Sequence, residues 1–358
     1  MPRWYGHRRK PPNRGAAPTR RRAHEPPRPT RRRPSPSAPS TYSVPMSTPS
    51  STDRPGKAAR RLASALEPVV GQVYFAPECH QEYERLGFSP SPFTLDTGVQ
   101  LPDGAAYFTS RGSCMGQVPG EMVAAAFAVF NPEAVIPAVR FGWTRCDAPT
   151  IASARTRGAT AQLTRILGER PEGIDRVTHL LRRAAAPLRP EGRPLYAGLL
   201  SLGLPGDPMG GMWRAGDVLR EFRGDAHTAA WTSAGLDATE IGLLTELYWG
   251  LEPRTYVRTR AWSDDQLGAA EDRLRSRRLV DDNGLTDEGR ALREAVEMAT
   301  DDQCGPAVAA LGDDLSELLA VLEPWGAAIR AAGGYPPTGP HDLAPKERPP
   351  GAPGPPRL

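Results

Sequence analysis

The chain has 358 residues, 45 of them Lys or Arg against 41 Asp or Glu, for a formal charge of +4, together with 40 prolines and 36 glycines. That length accommodates two ordinary domains and a sizeable core. No stretch approaches the roughly 18 consecutive apolar residues of a membrane span, and the Arg-rich start lacks the apolar segment of a secretory signal, so a cytoplasmic protein with no membrane partner is expected. Cys79, Cys114, Cys146 and Cys304 are too widely spaced for a disulfide framework or a paired CxxC metal site. Each is expected as a small buried apolar residue.

Residues 1–45 carry 12 Lys or Arg against a single acid, Glu25, in a Pro, Ser and Ala background. Such a segment buries too little apolar surface to offset ordering, so a disordered Arg/Pro-rich tail is expected. It reads either as a phosphate-binding arm or as text upstream of a start at Met46. The use of only three Lys beside 42 Arg, the habit of a GC-rich genome, favours the second reading. Without this tail the net charge is −7. Residues 46–212 hold 17 basic and 15 acidic groups, whereas 213–330 hold 13 and 23, so the second half is acidic.

Apolar spacing predicts a helix over 58–76, with Pro68 and Gly71 as kink points. Residues 89–92 and 97–104 read as loop, and Ala105 to Thr109 as a short strand or a buried helical start. Helices are expected over 121–130, 133–143, with Pro132 in the first turn, 151–167 and 174–186. The Gly-Pro-Met text of 202–211 reads as a linker, which gives a helical N-terminal domain at 55–205 and a C-terminal domain at 206–330. The latter opens with Trp213 to Phe222, continues through Ala226 to Trp231, and adds a helix over 238–249 and a closing helix over 313–329. A Pro-rich tail is expected over 334–358.

Residues 262–301 spell out a winged helix in order. Ser263 caps a helix bearing Leu267, Ala270 and Leu274 on one face. Leu279-Val280 and Leu285-Thr286 then flank Asp281-Asp282-Asn283-Gly284, a hairpin signal, and a helix resumes over 288–298 with Leu292 and Val296 inward. Leu274, Leu279-Val280, Leu285-Thr286 and Gly289-Arg290 resemble the recurring pattern of MarR-type winged helices. More broadly, residues 60–330 resemble a family of actinobacterial proteins with a MarR-like winged helix-turn-helix domain. The matching text is Arg111 to Gly116, Phe127 to Pro132, Trp143, Leu219 to His227, Gly235 to Asp237, and Leu285-Thr286 through Thr300-Asp301. The resemblance implies a mainly α, winged-helix architecture and brings no reaction with it. Arg111 and Arg223 each precede small residues and a helix, which leaves open two winged-helix-like halves in one chain.

For DNA recognition the composition is unfavourable. The first turn of the winged-unit helix is Ser263-Asp264-Asp265-Gln266, followed by Glu271-Asp272, and the short wing carries Asp281-Asp282, all of which repel phosphate. A positive stripe over Arg258, Arg260, Arg273, Arg275 and Arg277 is what a DNA-binding face would need. The best polar constellation is Arg223-Gly224-Asp225-Ala226-His227, in which Arg223 and His227, four apart on a continuing helix, share a face. Arginine clamps carboxylates and histidine moves protons near neutral pH. The alternative is structural, with Asp225 capping a helix that starts at Ala226. Ser110 to Gly116 offers Arg111 and backbone N–H groups to an anion, or is a plain turn. Glu78-Cys79-His80 are metal-ligand types, but adjacent residues seldom converge on one ion, and no metal is expected. Cys114 and His227 would be a nucleophile and base, and nothing in the sequence places them together.

The resulting expectation is a winged-helix protein that binds a small apolar or carboxylated molecule through Arg111, Arg223, Asp225 and His227, with DNA binding weakened or lost and no cofactor assigned. The alternatives are a MarR-like transcription regulator and an enzyme using the same pocket.

Overall fold

The computed structural model describes residues 55–336. The expected tail over 1–45, and that over 334–358 beyond Pro336, lie outside them. The described residues are mainly helical, with one two-stranded antiparallel ladder.

Helix α1 (Pro55–Gly71) runs through Pro68 and tightens into a 3₁₀ turn over Gln72–Tyr74. The sequence reading missed α2 (Pro77–Arg85), whose short polar text hides a buried face of Cys79, His80 and Tyr83. The ambiguous segment after residue 104 is helical, as α3 (Gly104–Gly112). Helices α4 (Gly120–Phe127), α5 (Pro132–Gly142), α6 (Ala148–Leu167) and α7 (Ile174–Ala185) follow, as expected from the spacing. Then come α8 (Pro194–Leu202), also missed, and α9 (Pro208–Ser233). Side chains of Asp103, Asn131, Asp147 and Asp207 cap the starts of α3, α5, α6 and α9, each such cap being worth about 1 kcal/mol.

Helix α9 decides between the two alternatives for 223–227, a continuing helix or a new helix capped by Asp225, in favour of the first. It passes through Gly224 without interruption. An interior glycine costs about 1 kcal/mol, and burial of Phe222, Ala226, Ala230 and Trp231 on both sides of it outweighs that cost.

The winged unit comprises α10 (Ala238–Trp249), α11 (Asp264–Ser276), β1 (Val280–Asp281), β2 (Gly284–Leu285) and α12 (Asp287–Leu311), and α13 (Asp314–Ala331) closes the fold. Ser263 and Gln266 form a reciprocal capping box at α11, and Asp237 with Glu240 does the same at α10. Strand register pairs Val280 with Leu285 and Asp281 with Gly284, so the turn residues are Asp282-Asn283, inside the expected Asp281–Gly284 segment. In the first half the described pairing is an isolated bridge, Thr94 to Gln100.

The apolar interior forms two clusters. The first gathers α1 to α8, α9 as far as Phe222, the end of α12, and α13; the second holds Ala230, Trp231, α10, α11, the wing and Val296. Helices α9 and α12 therefore each serve both cores, and the boundary expected at 205/206 falls inside the first. Tyr335, within the stretch expected as a tail, is buried in that core and donates its hydroxyl to Glu67. Gly216 lets α1 approach α9, since a Cβ there would meet Val70 at 2.6 Å. None of the described helices is long and apolar enough to cross a membrane.

Candidate functional site

Between the two cores lies a cavity of about 760 Å³, within the size range of small-molecule sites. Its walls come from α1, α3, α4, α9, α10 and α12 and from the loop joining α10 to α11. That loop is held in place by Glu246, whose buried carboxylate accepts from the backbone N–H groups of Arg254 and Val257, both at 2.8 Å. Gly242 permits the approach, because a Cβ there would meet Val257 at 2.6 Å. The loop then reaches across to the first half. Asn131 donates its backbone N–H to Arg260 O and its side-chain amide to Ala261 O, while Trp262 donates to Val129 O.

One part of the wall is aromatic. Phe108, Phe127 and Phe130 form a mutually packed cluster with ring centroids 5.1–6.1 Å apart, joined by Tyr107. Another part is ionic. Arg111 clamps Glu221 through Nε and Nη2 at 2.9 and 2.7 Å, and Arg220 clamps Glu67 at 2.9 and 3.0 Å while also reaching Glu221. Tyr74 ties the two together, donating to Glu221 and accepting from Arg220. Across the cavity, Arg223 bonds Asp301 at 2.7 Å and Glu297 at 3.2 Å, and Arg293 holds the other oxygen of Glu297 at 2.7 Å. Burial alone would raise the carboxyl pKa values of Glu221 and Glu297, but the surrounding guanidinium groups outweigh it and hold both at about 2.

All four residues singled out from sequence, Arg111, Arg223, Asp225 and His227, line this cavity. Arg223 and His227 do share a face of α9, but both are engaged. His227 Nδ1 lies 3.1 Å from the Thr300 hydroxyl, which itself donates to Val296 O. Asp225 caps no helix start at Ala226. Instead it accepts from Tyr196 N at 3.0 Å, in the first turn of α8, and burial pushes its pKa up to about 7 against the pull of the α8 N–H groups. The sequence reading missed Glu67, Arg220, Glu221, Arg293 and Glu297, and considered Arg260 only as part of a DNA-facing stripe. One signal was available: Arg293, Glu297, Thr300, Asp301 and Cys304 fall at helical spacing and all are buried, a polar stripe on an inward face of α12.

Cys114 and His227 are not brought together as a nucleophile and base. The thiol sits beside Arg111 O and Leu195 O, burial pushes its pKa up to about 12, and it does not line the cavity. Ser110 to Gly116 is not an open anion loop, since Arg111 lies in the last turn of α3 with its guanidinium on Glu221. Glu78, Cys79 and His80 diverge: the first meets Arg165, the second Arg155 O, and the third Gln100 and Tyr74 O.

On the winged surface, Asp264 and Asp265 occupy the exposed first turn of α11. The arginines do not form an open stripe. Arg258 pairs with Asp264, Arg273 with Asp237 and Glu240, Arg275 with Asp282, and Arg277 with Glu240, while Arg260 turns into the cavity wall.

These features define a mainly α protein with a winged helix-turn-helix and a cavity between its two cores. The chain belongs to a helix-turn-helix family, whose sequence profile matches residues 59–336. Neither the curated proteins nor the solved structures yield a match.

Proposed function

We propose that this helix-turn-helix protein, of the MarR-like type its residues resemble, binds a small molecule in the cavity between its cores, in the cytoplasm and with weakened DNA binding. The observation that carries this reading is the cavity itself: about 760 Å³, with an aromatic face, an ionic face, and a wall contributed by the loop that leads into α11. Arg111, Arg223, Asp225 and His227 are placed in this reading as lining that fixes the shape of the site. The test is saturable binding of an apolar fluorescent probe, N-phenyl-1-naphthylamine, or of its anionic relative 8-anilinonaphthalene-1-sulfonate. We expect one-to-one binding to be lost in Ala63→Trp, which fills the cavity from α1; absence of saturable binding by both probes would sink the proposal.

A DNA-binding regulator is the second reading, and membership of a helix-turn-helix family favours it. It competes with the carboxylates on α11 and the wing, which oppose phosphate contact. Gel retardation of the chain's own upstream DNA at physiological salt separates the two. Binding no tighter than the non-specific range of about 10⁻⁴ to 10⁻⁶ M supports weakened recognition, and selective submicromolar retention supports the regulator.

A further inference from the structure

Five arginines line the cavity, and four of them have carboxylate partners: Arg111 with Glu221, Arg220 with Glu67, and Arg223 and Arg293 with Glu297. Arg260 is the exception among the described residues. Its Nη2 donates to the Tyr256 hydroxyl at 2.5 Å, and its Nε is buried with no hydrogen-bond partner. The guanidinium lies 4.7 Å from the Phe130 ring centre and 4.4 Å from that of Tyr256. It is also fixed in position, because Arg260 O accepts from Asn131 N and the next residue, Ala261, takes a left-handed turn at φ 63° under the Asn131 side chain.

The acids of the wall cannot answer this charge. Glu67, Glu221 and Glu297 are each held by other arginines, and Asp225 is committed to the first turn of α8. A partly desolvated guanidinium is costly without an anion, and its planar fork suits a carboxylate or sulfonate. Beside it, Phe130 continues into the rings of Phe108 and Phe127, an apolar cluster whose ring planes meet at 50–82°.

We propose that the cavity takes an amphipathic organic anion, with its apolar body on the Phe108–Phe127–Phe130 cluster and its acid group on Arg260. This rests on the cavity being a binding site and adds the ligand's chemical class and its anchor. The two naphthalene probes test it, since they differ in the sulfonate. The protein should bind the sulfonate about tenfold or more tighter than the neutral amine, the scale of one charge-assisted hydrogen bond. Arg260→Gln should bring the two to within about threefold of each other while leaving the amine's affinity in place, and Arg260→Lys should retain part of the preference. Equal binding of both probes by the native protein overturns the proposal while the cavity reading stands, as does a sulfonate preference that survives Arg260→Gln or a parallel loss of both. If neither probe saturates, the cavity reading falls with it.

Discussion

The arginines of the cavity wall and those of the winged surface obey the same pairing rule in different dielectric settings. Glu221 and Glu297 are almost fully buried between two guanidinium groups each, whereas Arg273 is 45% exposed and Asp282, the partner of Arg275, 99% exposed. In the interior, removing one partner strands the others in a medium that cannot solvate them. At the surface, water and salt replace a lost partner. The wall network thus holds α1, α3, α9 and α12 around the cavity, while the surface pairs mainly cancel positive charge that a DNA-binding face would need.

The largest effect should come from Glu221→Ala. It leaves Arg111, Arg220 and Tyr74 without their shared acceptor, and urea unfolding should show a loss of about 3–5 kcal/mol. A loss under about 1 kcal/mol would place this cluster in the same energetic class as the surface pairs and break the comparison.

Asp225→Asn sharpens it through pH. The native carboxyl keeps its proton to about pH 7, whereas in the unfolded chain it ionises near pH 4. Rising pH therefore favours the unfolded state between those values, and the effect levels off above them. Asn has no proton to lose, and its carbonyl still accepts from Tyr196 N. The stability of the variant relative to the native protein should rise between about pH 4 and pH 7, by about 4 kcal/mol. A difference that is flat with pH would show that Asp225 is ordinarily ionised in the fold.

The smallest effect is expected for Arg273→Ala, under about 1 kcal/mol in the same unfolding assay and shrinking further in high salt. A cost comparable with that of Glu221→Ala would mean that the surface of the winged unit is held by its ion pairs and not by the core beneath it.

The winged unit was readable because its signals are local. Ser263 with Gln266, the 267/270/274 spacing and the Asp-Asn-Gly turn each act within a few residues, and α11, the wing and the start of α12 formed where they pointed. The alternative of a break at Asp225 failed because Gly224 and Asp225 carry a local turn signal that α9 overrides through contacts on either side. Helices α2 and α8 were missed because both are short, and their buried faces depend on neighbours far along the chain.

By itself, the sequence determined a mainly α chain with a winged helix, an acidic second half, and a polar group on α9 in which Arg223 and His227 share one face. Those properties follow from composition and from periodicities of 3.6 and 2, which need no partner. Only the tertiary structure decided that Arg111 meets Glu221 across 110 positions, that Asp225 caps α8 and not its own helix, and that Arg260 leaves the winged surface for the cavity wall. Which acid answers which arginine is fixed by how helices cross. A side chain's partner several turns or a hundred residues away leaves no mark in the spacing of its own segment.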